Sequence, residues 1–261
     1  MKLKIFQVDA FSSEPFGGNP AAICILDKWL GAELMQKIAN ENNVSETAFA
    51  VAVAERFEIR WFTPEIEVDL CGHATLATAH ILFKHMAYPS DRVEFETLQS
   101  GRLYVERSGK ILTLDFPADV IEEMVVPEVI VTALQRPPLK AYRGKTDFMF
   151  IYASQTEIES MKPDFGLLAQ MGGRGIIVTS MGNDADFVSR FFAPQTGINE
   201  DPVTGSAHTT LMPYWSKVLD RKRLSAQQLS ARGGDLVCTL EGDRVKISGE
   251  AVTYLEGEIS I

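Results

Sequence analysis

The chain has 261 residues, of which 46% are hydrophobic and 23% are charged, and this composition excludes disordered and fibrous proteins. A formal net charge of -10 without any basic tract argues against nucleic acid or an anionic membrane surface as a partner, so a small molecule is expected. Three widely spaced cysteines predict no disulfide framework and favour a cytoplasmic location, and no segment is predicted to be a signal peptide or a membrane span.

The first part of the chain is predicted to combine many strands with two helices. Alternating or continuous apolar patterns predict strands at 2–10, 21–26, 47–54, 56–63, 93–96, 101–107 and 111–116. Apolar residues at helical spacing predict a helix at 31–42, and a segment rich in Ala and Leu predicts a second at 73–85.

The second part repeats this order less clearly, with predicted strands at 148–153, 175–179 and 187–193 and a predicted helix at 164–171. The segment 118–140 contains Pro127, Pro137 and Pro138 and shows a lapse in periodicity, so it is our candidate for the crossover between the two halves. The predicted halves are therefore 1–118 and 119–250, with a final strand at 251–261 that could return to the first half.

An internal repeat supports this division. Arg60–Pro64, an acidic loop and Gly72-His-Ala74 correspond to Arg190–Pro194, an acidic loop and Gly205-Ser-Ala207. The Arg elements are 130 residues apart and the Gly elements 133, so the second loop is three residues longer. Shared turn and helix signals alone could produce the match, but a duplicated half-domain explains its length and order better.

Both repeats end where a helix is expected to begin, and this is a plausible place for an anion. Glycine allows close approach of a ligand to Gly72 and Gly205, and the first turn of a helix offers unpaired N–H groups with partial positive charge. Two such helix ends facing each other would bind a carboxylate. The alternative is that His73 and Ser206 only cap their helices, and serine is the better cap of the two. Pro213 is expected to kink the second helix or to end it early.

Two acidic positions could supply the chemistry. Glu46 lies at the entrance to an apolar strand, where a carboxyl group is a candidate general acid/base. A solvated turn residue is the alternative at that position. Asp201 lies in the longer second loop, where it too could be a solvated turn residue. Sequence alone does not place these groups together; only the internal repeat suggests that they converge.

Several motifs together closely resemble the PhzF-type isomerase family of phenazine biosynthesis. The resemblance runs nearly from end to end and includes Arg232–Gly234 near the close. The motifs that carry it are Gly17–Pro20, Asn43–Thr47, Arg60–Pro64, Asp69–Thr75, Arg190–Pro194 and Glu200–Ala207.

This resemblance implies an α+β fold like that of diaminopimelate epimerase, with two pseudo-symmetric halves, each a mostly antiparallel sheet wrapped around a central helix. It also implies a cofactor-independent isomerase that moves a proton on an amino-acid-like or dihydroanthranilate-like carboxylate, with Glu46 as acid/base. By the same resemblance His73, Asp201 and Ser206, with Gly72 and Gly205, surround the substrate. A homodimer is expected, and no metal or cofactor.

Two other functions stay open. Racemases and epimerases of this fold use one thiol from each half, which would give Cys71 a role, but the corresponding region 201–205 contains no cysteine. A non-catalytic small-molecule binding protein is the second alternative.

The spacing of Cys71 and His73 with His80 and His208 matches no zinc motif. Gly172-Gly-Arg-Gly175 precedes a predicted strand, so it does not predict a phosphate loop.

Overall fold

The computed structural model describes all residues from 1 to 261. Six α-helices are present: α1 Ala32–Asn42, α2 Gly72–His85, α3 Glu128–Leu134, α4 Gln155–Glu159, α5 Phe165–Leu168 and α6 Ala207–Leu219. The strands β1 to β9 are Lys2–Ala10, Asn19–Leu26, Glu46–Val53, Arg56–Phe62, Glu67–Val68, Arg92–Glu96, Arg102–Ser108, Ile111–Pro117 and Glu122–Met124. The strands β10 to β17 are Lys140–Arg143, Asp147–Ile151, Gly175–Met181, Phe187–Phe192, Arg223–Gln228, Gly234–Glu241, Arg244–Gly249 and Ala251–Ser260.

The chain folds into two compact units. The first comprises Met1–Asp115 and Ser248–Ile261, and the second comprises Phe116–Ile247. The last strand, β17, belongs to the first unit, where it pairs antiparallel with β1. The longest helix has 14 residues, and no helix is both long and apolar enough to cross a lipid bilayer.

The sheet of the first unit is mostly antiparallel. Strands pair in the order β17–β1–β2–β3–β4–β6–β7–β8, and only the β2/β3 and β4/β6 pairs are parallel. Parallel neighbours need a crossover, and α1 and α2 supply the two crossovers. Helix α2 buries 11 of its 14 residues and contacts β1, β2, β3, β7 and β17, so the sheet surrounds it.

The second unit repeats the same succession of pairings. Strands β10 and β11 are antiparallel, β11/β12 and β13/β14 are parallel, and β12/β13 and β14/β15 are again antiparallel. Helix α6 takes the place of α2 and contacts β11, β14 and β15. The predicted α+β class, with a mostly antiparallel sheet and one central helix in each half, is confirmed.

Two segments differ from the prediction. The segment 118–140, for which no helix or strand was predicted, contains β9 and α3, and β10 begins at its last residue. The prolines of this segment argued against a helix. Pro127, however, lies at the N-cap of α3, where the missing N–H breaks no hydrogen bond of the helix. The helix predicted at 164–171 is divided into α5 and a 3₁₀ turn, Ala169–Met171, and the Asp164 side chain caps α5 by accepting a hydrogen bond from Leu167 N.

Pro213 does not end its helix, so the expected early end is wrong. A proline removes the N–H that would bond to the carbonyl four residues earlier, which here is Thr209. The backbone N–H of Asp119 donates to that carbonyl at 3.1 Å instead. A hydrogen bond from outside the helix thus replaces the missing one, and α6 continues to Leu219.

Candidate active site

Glu46 and His73 meet inside the first unit. Glu46 is the first residue of β3 and has 13% of its side chain exposed, while His73, in the first turn of α2, has 5% exposed. The Oε2 atom of Glu46 lies 3.1 Å from Nε2 of His73. The predicted acid/base and one predicted substrate-binding residue are therefore in contact, although 27 positions separate them.

The second ring nitrogen of His73 faces two other buried side chains. Its Nδ1 atom lies 3.2 Å from Nδ2 of Asn19 and 3.5 Å from Sγ of Cys71. Asn19 is the first residue of β2, which pairs with β3, so the sheet brings it beside the Glu46–His73 pair. Sequence reasoning used Asn19 only as part of the Gly17–Pro20 motif and gave it no place beside His73.

The surroundings of His73 decide its charge. Burial lowers the pKa of His73, but its contacts with Cys71 and Glu46 outweigh burial and raise that pKa well above its usual value. Burial and the Glu46 charge raise the pKa of the Cys71 thiol to about 11, although His73 opposes this. Cys71 is therefore a neutral thiol near pH 7, which makes it a poor base or nucleophile.

The same three side chains are the only cluster in the chain with ligand types for a metal ion. Ligand atoms of Glu46, Cys71 and His73 lie within 4.8 Å of one another. Glu46 is beside Nε2 of the imidazole and Cys71 is beside Nδ1. The carboxylate and the imidazole are also groups that exchange protons, and the expectation that no metal is bound stays a prediction.

In the second unit, Asp201 belongs to a tightly bonded turn before α6. Its side chain accepts a hydrogen bond from the Thr204 hydroxyl, and its backbone carbonyl accepts one from Gln228 Nε2 at 2.9 Å. Gln228 also accepts from Thr204 N at 2.8 Å. Since Asp201 is 9% exposed, it is not the solvated turn residue that the sequence left open.

Ser206, the residue after Gly205, does not cap α6 with its side chain. Its Oγ instead accepts a hydrogen bond of 2.7 Å from Nη1 of Arg174. Arg174 also forms a bidentate ion pair with the buried Asp147. Sequence reasoning missed this arginine. Its only signal was the Gly172-Gly-Arg-Gly175 run, which does lead into a strand, β12.

Each unit thus gathers part of the predicted site: Glu46, His73 and Gly72 in the first, and Asp201, Ser206 and Gly205 in the second. In the first turn of α6, the N–H groups of Ala207, His208 and Thr209 already donate to the carbonyls of Thr204, Gly205 and Ser206. The anion site expected where the two helices begin therefore stays a prediction. The role of each of these residues toward a substrate stays a prediction.

Solved structures share this fold. A PhzF-family phenazine biosynthesis protein of Enterococcus faecalis superimposes with a TM-score of 0.97 at 45% sequence identity, and each chain covers 100% of the other. A hydroxyproline epimerase from Agrobacterium vitis superimposes with a TM-score of 0.63 at 10% identity, covering 99% of this chain and 92% of its own. The fold is therefore the epimerase-like fold that the resemblance implied.

Sequence comparison identifies the family. The phenazine biosynthesis-like protein family matches residues 8–257. An uncharacterized isomerase of Pseudomonas aeruginosa is 51% identical, and a human phenazine biosynthesis-like domain-containing protein is 40% identical, each over 100% of both chains. The chain belongs to this family of phenazine biosynthesis-like isomerases, which confirms the resemblance and the assignment to the isomerase class.

Proposed function

We propose that this isomerase moves a proton on a small carboxylate-bearing substrate without a cofactor, and that Glu46 is its general acid/base. The observation that carries the proposal is the 3.1 Å contact between the largely buried Glu46 carboxylate and His73. A carboxylate held beside an imidazole, away from bulk water, can accept a proton and return it. Amino-acid-like and dihydroanthranilate-like carboxylates are the substrate class that the family resemblance implies.

The reaction needs one base only. Glu46 removes a proton from one carbon of the substrate, the double-bond electrons shift, and the same carboxyl group returns the proton to another carbon. One C–H bond breaks and one forms, so the substrate is neither oxidised nor reduced and Glu46 is regenerated. Nε2 of His73 stays beside the Glu46 carboxyl and orients it throughout.

Racemisation by two thiols is less well supported. The high pKa of Cys71 keeps its sulfur protonated near neutral pH, and no cysteine lies in 201–205. Replacing Cys71 with alanine should therefore leave proton exchange within about threefold of wild type, because no thiolate takes part. A loss comparable to that caused by Glu46→Gln would instead favour thiol chemistry.

Deuterium uptake from heavy water tests the proposal. Cyclic dihydro-amino acids and related amino acids would be incubated with wild type, Glu46→Gln and Glu41→Gln, and analysed by mass spectrometry. Glu41 is an exposed carboxylate in α1, so its variant controls for loss of charge. We expect uptake by wild type and Glu41→Gln and at least a 100-fold loss in Glu46→Gln.

Uptake that persists in Glu46→Gln would remove this residue from the mechanism. Binding of the same compounds without any uptake would favour the alternative of a non-catalytic binding protein. The cytoplasmic location and the homodimer expected from the family resemblance stay predictions, and size-exclusion chromatography with light scattering would test the latter.

A further inference from the structure

Arg174 is held by a loop that only glycine can build. Gly172 and Gly173, before the arginine, have φ angles of 68° and 72°, which residues other than glycine rarely adopt. A Cβ atom on Gly175, after the arginine, would lie 2.0 Å from the ring of Phe191. The N–H of Arg174 donates to Thr146 O at 2.7 Å, so the backbone is fixed on both sides of the side chain.

The guanidinium group is fixed as well. Its Nε edge pairs with Asp147, which is 2% exposed, and its face lies 5.4 Å from the centre of the Phe191 ring. Nη1 donates to Ser206 Oγ at 2.7 Å. The Arg174 side chain as a whole is still 37% exposed, and Ser206 lies at the Nη1 end of its guanidinium group.

This contact determines the direction of the Ser206 hydrogen bonds. A guanidinium group can only donate, so Ser206 Oγ must accept from Arg174. The serine hydroxyl has one proton, and the chain offers no acceptor for it, so it is available to an acceptor from outside. Without Arg174, the Ser206 hydroxyl could rotate and accept a hydrogen bond from a donor group of the ligand.

We propose that Arg174 is a positioning residue that makes Ser206 a hydrogen-bond donor, so that this position selects a substrate carboxylate oxygen over an uncharged amide. The inference rests on the proposed function in one respect, since it takes Ser206 to face the substrate. The selection follows from charge assistance: a bond from O–H to a carboxylate is about twice as strong as one to a neutral acceptor. Asp147 already neutralises the guanidinium, so the preference acts through the serine hydroxyl.

Direct binding measurements test this without turnover. The affinities of 2-aminobenzoate and of 2-aminobenzamide would be measured by titration calorimetry for wild type, Arg174→Met, Ser206→Ala and the double variant. We expect wild type to bind 2-aminobenzoate more tightly than 2-aminobenzamide. In each single variant the ratio of the two affinities should fall about tenfold. The double variant should lose no more than either single variant, because Arg174 acts through Ser206.

Removing Arg174 alone leaves the buried Asp147 without its partner, which could unfold the unit. Asp147→Asn/Arg174→Met removes both charges, and circular dichroism would verify its fold; it should show the same loss of preference. The proposal is overturned if wild type does not prefer the carboxylate, if Arg174→Met keeps the preference, or if the losses in the double variant multiply. These results differ from failure of the proposed function, which would appear as exchange that does not depend on Glu46.

Discussion

Each unit buries one histidine in the first turn of its central helix, and the surroundings shift the two pKa values in opposite directions. Glu46 and Cys71 surround His73 and raise its pKa well above the usual value. His208 is fully buried, and its Nδ1 donates to Thr204 O at 3.0 Å as a neutral imidazole. Burial lowers the pKa of His208 to about 4, and its bonds to Thr204 and Gly205 only partly oppose this.

His208 should make the protein less stable in mild acid. Between pH 6.5 and about 4 the unfolded chain binds a proton at this histidine and the folded chain does not, so the free energy of unfolding falls as pH falls. The loss across this window should reach about 3 kcal/mol. Urea unfolding of wild type and His208→Gln at several pH values would measure this loss. If the free energies of unfolding of the two proteins fell equally with pH down to pH 4, the prediction would be contradicted.

His73 should have the opposite effect in alkali. Its folded-state pKa is raised, so its contribution to stability is complete below pH 6.5 and is lost as pH rises through the folded-state pKa. The destabilisation caused by His73→Gln should therefore be largest near pH 6 and shrink at higher pH. The same urea measurements, extended to pH 10, check this; a difference that grows with pH would be inconsistent with a protonated His73 beside Glu46.

Helix α6 contains a proline, Pro213, in its interior. The Thr209 carbonyl that it leaves without an intrahelical partner accepts from Asp119 N, and a carbonyl has room for a second donor. Pro213→Ala should therefore add the missing helical bond without displacing Asp119. The expected result is a gain of about 1–3 kcal/mol, measured as a higher thermal midpoint. An unchanged or lower midpoint would mean that the segment requires proline at 213.

The elements that sequence predicted well are those with strong periodicity. Helix α2 and strands β1 to β4 were placed within a few residues, because long apolar patterns and the turn glycines mark them clearly. The repeat at Gly72 and Gly205 also predicted both central helices. Strand β9 and helix α3 were missed because they have only three and seven residues and because prolines surround them, so local signals indicated a loop.

The candidate site was predictable where its residues lie in motifs of the family, and not where contacts between distant segments bring a side chain to it. Glu46 and His73 lie in two motifs whose family resemblance named them together. Asn19 contacts His73 across 54 positions of the chain, and Arg174 contacts Ser206 across 32. Periodicity along one sequence does not contain that information, because the packing of a strand or loop against a distant helix brings these side chains together.

For the whole molecule, the net charge of -10 opposes a substrate that is itself an anion. Salt screens this long-range repulsion, whose range falls from about 30 Å at 0.01 M to about 8 Å at 0.15 M ionic strength. The KM of a carboxylate substrate should therefore fall as salt rises over this range, while that of its neutral amide should not change. Steady-state rates at several salt concentrations measure both. A KM that rises with salt would mean that local donors such as the Ser206 hydroxyl, not the net charge, control the approach of the substrate.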